Sequence, residues 1–252
     1  VYIVNELERC QKMNGGKWIG SIPEKYFEIM KTDTYIWSPQ YTMHKTIMGL
    51  LHAYKFARIE KAGTILSNLA DWYTSWTDRM LKECPAAIYR GEMGGMLEIW
   101  ADCYDTFKDK KYLDLAEKYS HTDMFNALLE GKDPLSNIHT NATIPWSHGA
   151  AKMYEVTGDE KWKNVVLAFW KCAVTDRDML ATTGNNAGEY WIPPHKMGSF
   201  ISDRDQEFCT VYNMVRTANY LLQWTGDSKY ADYIERALYN GFLAQQNKFT
   251  GM

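Results

Sequence analysis

Apolar residues recur along this chain at i, i+3, i+4 and i+7, the spacing that lays one stripe of side chains along one face of a helix. Ile47, Leu50, Leu51 and Tyr54 make one such set. Met96, Ile99, Trp100, Cys103 and Phe107 make a second, and Val211, Met214, Val215, Ala218, Leu221 and Leu222 a third. No convincing run shows the period of two that a half-buried strand needs. The pattern predicts an all-α fold.

Polar punctuation pairs these helices. Tyr104-Asp-Thr-Phe-Lys-Asp-Lys-Lys-Tyr112, Tyr154-Glu-Val-Thr-Gly-Asp-Glu-Lys-Trp162 and Gln223-Trp-Thr-Gly-Asp-Ser-Lys-Tyr230 resemble one another. In each, a helix ends, a short turn with Asp follows, and an aromatic starts the next helix. Gly158 and Gly226 stand where a helix C-terminus favours a left-handed residue. Asp159 and Asp227 stand where the next helix favours an N-cap. Four hairpins follow: 40–57 with 60–80, 91–108 with 110–120, 142–157 with 159–176, and 206–225 with 228–246. Their spacing is too long and uneven for a tetratricopeptide array. It suits a toroid of hairpins, the (α/α)6 barrel, with long loops on one side. The longest loop, 177–205, carries Gly, Asn, Pro and His, and long loops in compact domains are often functional. Val1 reads as the inside of a helix reaching about Lys12, with no initiator Met or cap, and the chain ends at Gly251-Met252. The expectation is an incomplete piece of one catalytic domain, spanning 1–252 of a longer chain.

Composition narrows the function classes. The 252 residues are 46% apolar and 23% charged with a net charge of −3, which leaves no basic face for nucleic acid. No apolar run approaches the ~20 residues that span a membrane, and no signal peptide is visible. Aromatics stand out at 14%, with ten Trp and seventeen Tyr. They can fill a core, or some can line a cleft in which sugar C–H faces stack on rings. Five widely spaced cysteines, Cys10, Cys84, Cys103, Cys172 and Cys209, do not form the framework of a small disulfide-stapled domain. Cys103 and Cys172 lie in apolar helical stretches and read as core thiols.

Few residues suggest chemistry. Glu207 and Cys209 open a helix after the long loop. A carboxylate and a thiolate at this spacing can reach one zinc ion, but a Glu at the positive helix end beside a buried Cys explains them equally. Glu189, beside Tyr190 and Trp191, reads either as a general acid or as a solvated loop residue. His44 and His139 both sit at helix entrances after polar loops, where a toroid gathers polar groups at one mouth. Glu92 precedes a helix within Gly91-Glu92-Met93-Gly94-Gly95, whose glycines allow close backbone approach or plain helix packing. His52, His121, His148 and His195 lack that context and read as structural or surface residues.

Six segments in order resemble glycoside hydrolase families 127 and 146, once called DUF1680, whose known members are β-L-arabinofuranosidases. They are Tyr41-Thr-Met-His-Lys, Gly91-Glu-Met-Gly-Gly-Met-Leu-Glu, Ile138-His-Thr-Asn-Ala-Thr-Ile-Pro, Gly184-Asn-Asn-Ala-Gly-Glu, Glu207-Phe-Cys-Thr-Val-Tyr-Asn-Met and Tyr230-Ala-Asp-Tyr-Ile-Glu-Arg-Ala-Leu-Tyr-Asn-Gly. The resemblance implies that Glu207 and Cys209 are zinc ligands and Glu189 the acid/base. It implies that His44 and His139 hold furanose hydroxyls, with Glu92 lining the same pocket. It further implies a zinc-bound cysteine nucleophile, retention at the anomeric carbon and an L-arabinofuranose-containing glycan as substrate. The sequence departs from the pattern in having no adjacent cysteine pair, and in Thr143 and Trp146, where the family has Gln and Lys. The family's N-terminal helices and C-terminal β-domains have no counterpart here. On this reading the zinc site is incomplete and these 252 residues alone are inactive. Another (α/α)6 enzyme, such as an unsaturated glucuronyl hydrolase or a sugar epimerase, and a non-catalytic carbohydrate-binding scaffold stand as alternatives. The compartment stays open between bacterial cytoplasm and envelope or exterior.

Overall fold

The expected helices form, and their ends follow from capping chemistry. The computed structural model describes residues 1–32, 34–202, 204 and 206–251. In the first half run α1 (Tyr2–Met13), α2 (Lys25–Ile29), α3 (Pro39–Lys55), α4 (Glu60–Glu83), α5 (Gly95–Phe107) and α6 (Lys110–Lys118). In the second run α7 (Thr122–Leu129), α8 (Thr140–Thr157), α9 (Glu160–Trp170), α10 (Phe208–Thr225) and α11 (Ser228–Arg236). The short helices α2 and α7 carry too few periodic positions to stand out in the sequence. The ends expected near 176 and 246 loosen into π-helical turns at Lys171–Thr175 and Ala237–Phe242.

The three repeated turns share one geometry. Asp109, Asp159 and Asp227 each accept a hydrogen bond from the backbone N–H two residues on, at 2.9–3.0 Å. This satisfies a donor that the first helical turn would otherwise leave bare. Gly158 and Gly226 take φ of 70° and 66°. Lys108 takes the same left-handed position at φ 55°, a conformation that costs a side-chain-bearing residue about 1 kcal/mol. Each of the three backbone N–H groups then donates to a carbonyl four residues back.

The chain divides into two compact units, Val1–Ser120 and His121–Met252. The first holds the α3–α4 and α5–α6 hairpins, with α1 laid along α4. Gln11 tethers α1 by donating to the Ile65 carbonyl at 2.9 Å. The core is aromatic. Phe27 sits edge-on to Trp72, Tyr73 and Trp76 with centroids 5.1–5.8 Å apart, and Tyr73 meets Trp100 at 5.2 Å. Such edge-to-face pairs add to area burial. These aromatics therefore pack a core rather than line a cleft.

The second unit holds the α8–α9 and α10–α11 hairpins, with α7 on α9. Its α8–α10 seam is polar. Asn213 Nδ2 donates to Asn141 Oδ1 at 2.6 Å, Ser147 Oγ meets Thr217 Oγ1 at 2.8 Å, and buried His148 Nε2 meets the Asn213 carbonyl at 2.9 Å. Within the long loop, two-residue strands β1 (Asn186–Ala187) and β2 (Tyr190–Trp191) pair antiparallel, a feature too short for any periodicity to announce. No helix among the described residues is long and apolar enough to cross a membrane.

Candidate active site

Gly188 and Glu189 form the two-residue turn of the β1–β2 hairpin, both left-handed at φ 53° and 74°. A turn of this hand matches the strand twist, but it costs Glu189 strain on the order of 1 kcal/mol. The turn projects the Glu189 side chain outward, 60% exposed. The aromatic neighbours do not bury this carboxyl as their adjacency suggested. Tyr190 is half-exposed, and Trp191 turns into the core beside Phe169.

The hairpin is sewn to the start of α8. Asn137 N–H donates to the Trp191 carbonyl, Trp191 N–H to the Ile138 carbonyl, and Thr140 N–H to the Glu189 carbonyl, at 2.8–3.0 Å. Inside, the Trp191 indole donates to Thr143 Oγ1 at 2.8 Å. These bonds bring together two residues singled out from separate segments. His139 is the N-cap of α8, its Nδ1 accepting from Ala142 N–H at 3.2 Å. That bond leaves the ring proton on Nε2 in the neutral form. Nε2 in turn faces Glu189 Oε2 at 3.5 Å, and the rings of His139 and Tyr190 meet at 5.9 Å. His121 caps α7 in the same way, accepting from Met124 N–H at 3.3 Å, but burial holds its pKa below the usual histidine range. Capping is thus common to both rings.

Glu207 is the N-cap residue of α10, although its side chain makes no capping bond. The Cys209 thiol hydrogen-bonds to its carboxylate, and burial, followed by that contact, pushes the thiol up to about 12. Glu207 Oε2 is buried with no hydrogen-bond partner. An unmet buried carboxylate oxygen is costly and suits a cation. The O and S donors of this pair suit zinc. No cluster of three or more His, Cys, Asp or Glu exists among the described residues, so the pair would be part of a ligand set.

The sequence did not reveal a set of buried polar side chains in this unit. Thr140, Thr183, Asn185, Asn186 and Thr210 are buried to 1% exposure or less, and each has a side-chain oxygen or amide atom without a partner. Asn186 lacks partners on both amide atoms, as does Gln206. The loop around Asn186 is pinned by the Gly188 N–H bond to the Arg204 carbonyl. Gly184 lies so close to Gln206 that an added Cβ would meet its side chain at 3.0 Å. Asn and Thr in a loop read as turn formers, and their burial was invisible before folding.

His44 and Glu92 belong to the first unit. His44 lies in the second turn of α3, half-buried, against the start of α5. A Cβ on Gly95 would come within 2.8 Å of His44 Nε2, so this glycine makes room for the imidazole. Gly91, left-handed at φ 71°, packs on the Ser38 backbone just before α3. Glu92, half-buried, sits between these two close approaches.

A family model described as the GH127 catalytic domain of β-L-arabinofuranosidase matches residues 1–252. Among solved structures, the chain is similar to one titled as a GH127 β-arabinofuranosidase, at 18% identity and a TM-score of 0.59, over 83% of this chain and 34% of that one. It is similar to a structure titled as a glycoside hydrolase, at 16% identity and TM-score 0.61, over 84% and 39%. It is also similar to a GH127 β-L-arabinofuranosidase from Geobacillus stearothermophilus T6, at 17% identity and TM-score 0.60, over 89% and 39%. These likenesses show the fold. The chain spans between 34% and 39% of the length of these structures. No curated protein matches the chain by sequence.

Proposed function

The chain belongs to the GH127 β-L-arabinofuranosidase catalytic-domain family, and on that premise we propose that it carries the acid/base and half the metal ligands of a retaining β-L-arabinofuranosidase. The observation that supports this most is the Glu189–His139 pair, an exposed carboxylate on a rigid turn with an imidazole 3.5 Å away. Glu189 protonates the glycosidic oxygen as the leaving group departs. It then takes a proton from the water that releases the sugar, as microscopic reversibility requires. His139 Nε2–H, its tautomer set by the Ala142 bond, donates to a furanose hydroxyl beside Glu189. His44 and Glu92, both in the first unit, are sugar-binding residues in this reading. The substrate is a plant glycan or glycoprotein carrying L-arabinofuranose.

Glu207 and Cys209 would hold zinc, and the unmet Glu207 oxygen fits that assignment. Zinc, when bound, keeps a neighbouring cysteine thiolate ionised yet accessible. The nucleophile in this reading is a cysteine outside these 252 residues, since the sequence has no adjacent cysteine pair.

Glu189→Gln in the full-length protein lowers kcat on an aryl β-L-arabinofuranoside by about 10²- to 10⁴-fold. Unchanged turnover overturns the acid/base assignment and favours a binding scaffold. Cys209→Ala abolishes stoichiometric zinc in the purified full-length protein, read by metal analysis. Retained zinc together with retained activity points instead to another α/α-barrel chemistry.

A further inference from the structure

Arg177 opens the long loop, and its side chain is 0% exposed. A guanidinium stays charged at any relevant pH. Burying it costs several kcal/mol unless its donors are used and its charge is met. Here Nη2 donates to Asp133 Oδ1 at 2.7 Å and Nε to the Cys172 carbonyl at 3.2 Å. Nη1 donates to the Ile192 carbonyl and to Ser136 Oγ. The guanidinium also lies over the Trp191 ring, 5.5 Å from its centroid.

These partners lie on the two segments that carry the Glu189–His139 pair. Asp133 organises the turn leading to His139, accepting from Leu135 N–H at 2.9 Å and Ser136 N–H at 3.2 Å. Trp191 and Ile192 continue the strand that leaves Glu189. One buried cation thus clamps the exit strand of the Glu189 turn to the approach to His139, and its third tie reaches the π-helical turn beneath both. No bond joins Arg177 to Glu189 or His139, so any influence on them runs through the backbone.

We propose that Arg177 is a positioning residue for acid/base catalysis, holding the Glu189 turn against the His139 cap. The proposal rests on the acid/base reading of Glu189. A 1 Å displacement of a proton donor is enough to cost about a hundredfold in rate.

The test separates positioning from general damage through the leaving group. A nitrophenolate departs with little protonic help, whereas a methoxide needs a well-placed acid. Wild type, Glu189→Gln, Arg177→Ala and Arg177→Lys are compared in the full-length protein on p-nitrophenyl and methyl β-L-arabinofuranosides. Circular dichroism and the melting temperature are read in parallel. The expected result is a kcat loss in Arg177→Ala about tenfold larger on the methyl glycoside than on the nitrophenyl one, with KM little changed. Guanidinium added at millimolar concentration restores part of that loss. Arg177→Lys, which keeps the Asp133 pair and gives up the fork to Ile192 and Cys172, lies between wild type and Arg177→Ala. If Arg177→Ala does not fold, Arg177→Lys carries the same comparison. Equal losses on both substrates, or none, with Glu189→Gln still selective against the methyl glycoside, overturn the Arg177 proposal alone. A Glu189→Gln variant with no preference between the substrates overturns the acid/base reading and this proposal with it.

Discussion

Two buried tryptophans show how differently the two units use the same side chain. Trp100 in the first unit is fully buried among Tyr73 and Tyr112, and its indole N–H has no partner. Trp191 in the second is equally buried, yet its N–H bonds Thr143, its face meets Arg177, and its backbone pairs with Asn137 and Ile138. The first unit uses Trp as volume, whereas the second uses it as a joint in a polar framework. Unmet buried groups follow the same division in part. In the first unit they lie on the polar tips of Tyr73, Trp76, Trp100 and Tyr119, incidental to aromatic packing, and on Ser38 and Gln40. In the second they lie on Asn, Gln, Thr and Glu side chains that packing alone would not retain. The candidate acid/base and metal ligands all belong to that polar region.

The largest stability effect expected from this contrast is at Trp100. Trp100→Ala costs about 3–5 kcal/mol in equilibrium unfolding, through lost burial and the cavity left behind. The sharper comparison is with Phe. Trp100→Phe sacrifices no hydrogen bond, whereas Trp191→Phe takes away the donor to Thr143 Oγ1 and leaves a smaller ring beneath Arg177. Trp191→Phe is expected to cost about 1 kcal/mol more, and equal costs would erase the distinction between the units.

Acid sensitivity is the next measure. His148 in the α8–α10 seam is fully buried, and burial, with the Arg216 charge second, holds its pKa well below 6.5. The unfolded chain takes up this proton near 6.5, and the folded chain does so only at much lower pH. The contribution of His148 is therefore complete above about pH 6.5 and falls away as pH drops toward the folded value. His148→Gln flattens that part of the stability–pH curve. An unchanged slope would mean that the seam is not where acid acts.

The smallest effect is common to both units. Asp159→Ala removes an N-cap and costs about 1 kcal/mol, and the equivalent change at Asp109 should match it, because the turns superpose in hydrogen bonding although the cores around them differ. Unequal cap costs would show that the surrounding core, not the turn, sets these helix starts.

The sequence by itself determined the longer helices, the hairpin turns and the identity of the candidate residues. Helical periodicity and the Gly–Asp caps act over a few residues, so their outcome is legible along the chain. Lys108 takes the left-handed place of Gly158 and Gly226 without being glycine, which the sequence alone did not show. The family model matching residues 1–252 agrees with the resemblance that the short motifs carry. Tertiary structure alone decided which candidate residues came together. His139 caps a helix and also meets Glu189 because a two-residue hairpin docks on residues 137–140, a pairing across some fifty positions that no local pattern encodes. The burial of Asn186, the unmet oxygen of Glu207 and the clamp at Arg177 are likewise products of packing, since the cost of burying a polar group depends on what the rest of the chain brings to it.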